Sequence, residues 1–116
     1  MLEVDATRRD DHSVLAVAGE LDILGAPVLQ EAVDRVLQQS YPSLVLDLSA
    51  VRFLDSAGLR VLVYAHRTLN EQGGRLRIVC TTRRVREVLR VSNLEHLFAV
   101  FGSVDEALAA SAGADG

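Results

Sequence analysis

The chain has 116 residues, carries a formal net charge of −4 and contains one cysteine, Cys80. That length suits a single domain, the hydrophobic share of 49% is enough to build a core, and one cysteine excludes an internal disulfide. The acidic balance argues against general nucleic-acid binding, and no apolar run approaches the roughly 20 residues needed to cross a bilayer. With no signal-peptide pattern at the N-terminus, the expected setting is the cytoplasm.

In chain order, Leu2, Val4 and Ala6 alternate with polar residues, the period-two signature of a half-buried strand. A turn at "RRDDHS" leads to Val14–Ala18, a continuous apolar run expected to be a strand covered on both faces, so the first two strands form a hairpin. "GELDILG" then reads as a loop. Pro27 opens a helix whose apolar stripe is Leu29, Ala32, Val33, Val36 and Leu37.

Ser43–Leu48 reads as a short buried strand. A helix starts near Ser56, carries Leu59, Leu62, Val63, His66 and Leu69 on one side, and stops at Gly73–Gly74. "RLRIVC" is the next strand. Thr82 is placed to cap a helix with Val85, Val88 and Leu89 inward, and Arg83, Arg84, Arg86 and Arg90 form its solvated face. Ala99–Phe101 is a last strand, and Ser103 with Glu106 has the spacing of a capping box for a final helix. Residues 1–110 make the domain and 111–116 a disordered tail.

The resulting order, β-β-α-β-α-β-α-β-α, predicts a single α/β domain with a mostly parallel sheet and an N-terminal hairpin. Loops leaving the carboxyl ends of parallel strands gather on one edge, where open sheets place their sites. That edge should collect Glu20 and Asp22, Asp55 and Ser56, and the Thr81–Thr82–Arg83 turn.

"FLDSAGLRVL", Phe53 to Leu62, is the most informative stretch. Ser56 or Asp55 is the N-cap of the following helix, a role worth about 0.5–2 kcal/mol. Gly58 is unfavourable inside a helix by up to ~1 kcal/mol, a sign that something approaches closely there. A nucleophilic serine needs a base within reach. His66 lies ten residues along the same helix, about 15 Å away at 1.5 Å per residue, and the G-x-S-x-G elbow and P-loop patterns are missing. No carboxylate has a His or Cys at ligand spacing, so no metal and no cofactor is expected. Two readings stay open: Ser56 is only a helix cap, or it is phosphorylated, in which case the phosphate would add about −1.5 to −2 charge beside Asp55, a change felt by a partner surface.

"GELDILGAPVLQEAV", "LVLDLSAVRFLDSAGLRVL", "GGRLRIV" and "VREVLRVSNLEHLFAVFGSVDEAL" resemble successive blocks of the sulphate transporter and anti-sigma factor antagonist (STAS) domain, and most of all bacterial anti-anti-sigma factors. The resemblance implies a non-enzymatic binding switch. The unphosphorylated form would bind a cognate anti-sigma factor with serine kinase activity and free its sigma factor. Phosphorylation at Ser56 would block binding, and a PP2C-type phosphatase would restore it. Asp22 and Asp55 match acidic positions implied in partner contact, and Gly58 and Arg60 complete the expected partner-binding set. The second hydroxyl residue common in the family is Ala57 here, leaving Ser56 as the acceptor. Arg60 stands where glycine is frequent, four residues after Ser56. A regulatory subunit of a transporter or lipid-trafficking ATPase, and a nucleotide or small-ligand sensor, are the alternatives; neither direct DNA binding nor membrane insertion is expected.

Overall fold

The structure, a computed structural model, describes residues 1–40 and 42–113. Five strands, β1 (Leu2–Arg9), β2 (His12–Leu21), β3 (Ser43–Leu54), β4 (Arg75–Val79) and β5 (Ala99–Phe101), form one sheet in the order β1-β2-β3-β4-β5. β1 runs antiparallel to β2, and every later pair is parallel. The helices are α1 (Ala26–Val36), α2 (Ser56–Glu71), α3 (Arg83–Val91) and α4 (Val104–Gly113). The expected element order and hairpin are all present.

Period-two alternation sorts the strand residues between two unequal faces. Leu15, Val17, Leu44, Leu46, Leu48 and Ile78 meet the apolar stripes of α1, α2 and α3 in the main core. Among the described residues, the opposite face is covered where α4 lays Ala107, with Val104 and Leu108 beside it, over Val14, Val45 and Val79. Val14–Ala18 is therefore not covered on both faces along its length: Ala16 is exposed beyond the reach of α4. His66 is half-buried on the stripe of α2, its ring edge-on to Phe98. Phe98 is core, and Phe101 is a half-buried neighbour of the smaller cluster.

Both central strands are longer than their apolar runs. β2 continues through Gly19 and Glu20 to Leu21, and β3 continues from Leu48 to Leu54. Register shifts between Ala16 and Ala18 and between Gly19 and Glu20 break the alternation that marks a strand in sequence. Glu20 is therefore a strand residue, in register with Phe53 of β3 and ion-paired with Arg52.

The helix ends follow local chemistry. Past the last residue of α2, Gly73 takes φ +76°, a left-handed conformation that suits glycine, and the Gly74 N–H returns to the Leu69 carbonyl at 2.8 Å. Ser103 Oγ accepts the Glu106 N–H, while the Glu106 carboxylate reaches back to the Gly102 N–H, one residue further than the usual box. Thr82 stands at the N-cap of α3, but its hydroxyl makes no capping bond. α4 is helical through Gly113, into the stretch expected to be a tail; the rest of that stretch, 114–116, lies outside the described residues.

Candidate functional site

β2 and β3 end side by side, with Leu21 paired to Leu54. Each leucine is followed by an aspartate that organises the next turn. Asp22 Oδ1 accepts the N–H groups of Leu24 at 3.1 Å and Gly25 at 2.9 Å, and its carbonyl accepts that of Ala26 at the start of α1. Asp55 Oδ1 accepts those of Ala57 at 2.9 Å and Gly58 at 3.2 Å. With φ −117° and ψ −169°, Asp55 is extended backbone and is the N-cap of α2.

This assignment frees Ser56. It is the first residue of α2, it is exposed, and its hydroxyl has no hydrogen-bond partner among the described residues. The two residues that could have capped α2 have thus divided their roles: Asp55 satisfies the helix, and Ser56 presents a hydroxyl to solvent.

Gly58 stands where the close approach expected from its sequence position occurs. It is buried, and a Cβ there would lie 2.5 Å from the Leu21 carbonyl oxygen and 2.6 Å from Leu54 Cδ1. The chain that approaches is its own: the start of α2 is pressed against the end of β2. The Asp55 N–H donates to the same Leu21 carbonyl at 3.3 Å.

The Thr81–Thr82–Arg83 turn does not join this site. β4 makes its last pair with β3 at Asp47↔Val79, and β3 runs on to Leu54, roughly 20 Å further at about 3.3 Å per residue. The site is therefore built by two strand ends that project past β4 and β5. Beside them stand exposed apolar side chains that the sequence reading did not single out: Ile23 at 74% exposure, Leu24 at 82% and Phe53 at 43%. Their type gave no signal, since apolar residues next to a buried strand read as core.

A groove of about 540 Å³ runs between α1 and α2, with Ile23, Ala57 and Arg60 at the site end and Asp34 and Tyr64 further along. The Tyr64 hydroxyl donates to Asp34 Oδ1 at 2.5 Å, tying the two helices. That bond, then burial, then the charge of Asp34 push the Tyr64 phenol above its ordinary value. Arg60 is exposed and makes no ion pair among the described residues. Cys80 is fully buried at the end of β4, where burial pushes its thiol pKa up, against weaker opposing bonds to Thr82. No group of three or more His, Cys, Asp or Glu suited to a metal ion occurs among the described residues.

The STAS domain family model matches residues 3–107. The chain belongs to the STAS domain family. Over 101 residues it is 33% identical to the anti-sigma-F factor antagonist RsfB of Mycobacterium tuberculosis, a match covering 84% of this chain and 82% of that one. It is 27% identical over 99 residues to the anti-sigma-B factor antagonist of Staphylococcus aureus, covering 85% and 92%. Among solved structures, an anti-sigma factor antagonist from Mycobacterium paratuberculosis superposes with a TM-score of 0.87 at 34% identity, covering 95% of this chain and 93% of that one. The unphosphorylated form of the anti-sigma factor antagonist SpoIIAA shares the fold, with a TM-score of 0.80 at 19% identity over 96% of this chain and 97% of that one. Within the STAS fold, the Asp55–Ser56 junction is the point where a solvent-facing hydroxyl, a carboxylate and an apolar rim are found together.

Proposed function

We propose that this STAS domain is an anti-sigma factor antagonist, a binding protein with no catalytic activity of its own. Unphosphorylated, it binds an anti-sigma factor and releases the sigma factor held there; phosphorylation of Ser56 blocks that binding. The observation that carries the reading is the free Ser56 hydroxyl, relieved of capping by Asp55 and set beside Ile23, Leu24 and Phe53. An apolar surface of this kind suits docking, and placing a phosphate of about −1.5 to −2 charge in its midst opposes desolvation of the interface. Relatives that carry the anti-sigma factor antagonist name over most of their length support the same reading. Asp22 and Asp55 each keep a second carboxylate oxygen outside their capping bonds, available for partner contact. The partner is an anti-sigma factor with serine kinase activity, a PP2C-type phosphatase resets Ser56, and the exchange takes place in the cytoplasm.

The test is a pull-down from the native cytoplasm with wild-type, Ser56→Ala and Ser56→Asp baits. A kinase-like anti-sigma factor retained by wild type and Ser56→Ala but lost with Ser56→Asp supports the proposal. A transporter or lipid-trafficking ATPase held equally by all three would replace it with a regulatory-subunit role.

A further inference from the structure

Surface arginines in this protein are mostly engaged. Arg9, Arg35, Arg52 and Arg90 pair with Asp105, Glu31, Glu20 and Glu87. Arg8 donates to Gln39 and Ser13, and Arg86 donates to the Cys80 carbonyl. Arg60, like Arg67, Arg83 and Arg84, has no such partner among the described residues, although two carboxylates line the same groove as Arg60. Both are committed elsewhere: Glu31 to Arg35, and Asp34 to the Tyr64 hydroxyl. Arg60 is thus an uncompensated cation one helical turn beyond Ser56.

A phosphate on Ser56 would meet a lopsided environment. The N–H groups of Ala57 and Gly58 are already held by Asp55. The charged groups nearest it are Asp55 itself and Asp22 on the neighbouring turn, while Glu31 and Asp34 line the groove along α1. All of these are acidic, and Arg60 is the opposing charge. Side chains four apart on a helix stand about 5–6 Å apart at Cβ, with an anion N-terminal to a cation being the favoured order. The guanidinium fork also matches phosphate oxygens two at a time.

We propose that Arg60 is the intramolecular counter-ion of a phosphate on Ser56, and that by neutralising part of its charge it limits how strongly the modified domain repels its partner. The inference rests on the reading of Ser56 as the phosphoacceptor. It adds a determinant of how complete the switch is.

The experiment uses the full chain with phosphoserine installed at position 56 by genetic encoding, so that no kinase is needed. Phosphorus NMR then follows the second ionisation of the phosphate against pH in the wild-type, Arg60→Gln and Arg60→Lys backgrounds. Arg60→Gln should raise that pKa by about 0.15–0.4 unit at low salt, Arg60→Lys by less, and the difference should shrink at high salt. Equal pKa values in wild type and Arg60→Gln would overturn the proposal. That outcome is distinct from failure of the functional reading, which would show as a Ser56 never modified in the native cytoplasm.

Discussion

Asp22 and Asp55 are equivalent residues of neighbouring parallel strands: each follows one member of the Leu21–Leu54 pair, and each accepts the N–H groups two and three residues onward. The relationship gives the site two matched turns, held by carboxylates and not by the serine between them.

Removing either carboxylate should therefore destabilise the domain. Asp55→Ala should cost about 0.5–2 kcal/mol, and Asp22→Ala, which loses turn hydrogen bonds, about 0.5–1.5 kcal/mol per bond, read as a lower midpoint in urea with an unchanged m-value. A wild-type midpoint for Asp55→Ala would remove Asp55 from the capping role.

Ser56→Ala should be nearly silent in the same measurement, within about 0.5 kcal/mol of wild type. The hydroxyl has no partner to lose, and alanine is the better helix former. The retention of binding expected of this variant can then be read without correcting for a damaged fold.

Gly58→Ala should go against the usual trend. In an ordinary helix interior the change gains up to ~1 kcal/mol. Here the new Cβ would lie 2.5 Å from the Leu21 carbonyl oxygen, a backbone atom that cannot swing aside, so a loss of about 1–3 kcal/mol is expected. A stabilised Gly58→Ala variant would mean that the packing of α2 on β2 is looser than described.

The Tyr64 phenol should titrate above its ordinary value of about 10, and Asp34→Ala should bring it down toward that value, because the hydrogen bond to Asp34 is the main cause of the shift. Ultraviolet absorbance in a Tyr41→Phe background isolates the signal, since the chain has two tyrosines. A raised pKa means that the folded state holds the phenol proton more tightly. The stabilisation is complete below about pH 10 and fades as pH climbs through the higher folded-state value. An unchanged titration in Asp34→Ala would show that the tie between α1 and α2 is absent in solution.

The order and type of every element were legible in the sequence, because each apolar run or stripe matched one period and each helix had glycine, proline or capping residues at its ends. What was not legible came from geometry between strands. Register shifts in β2 hid Gly19–Leu21 inside a strand, and the extension of β3 to Leu54 looked like a loop because Ser49, Ala50 and Arg52 interrupt its apolar pattern. With those extensions unseen, the Thr81–Arg83 turn was expected at the site it falls short of. The choice between Asp55 and Ser56 as cap needed backbone angles, since both residue types favour that position. Gly58 did announce a close approach, but only the fold identifies Leu21 as the neighbour.

Because Asp55 already satisfies the first turn of α2 and Gly58 packs that turn against β2, modifying the hydroxyl beside them breaks no hydrogen bond of the fold and acts on stability only through the few charges around it. The two chemical forms should then unfold at nearly the same rate and be cleared by proteases at nearly the same pace. A cell using this domain could shift the ratio of the two forms while leaving the total pool constant, so that signalling state and protein turnover are separately controlled.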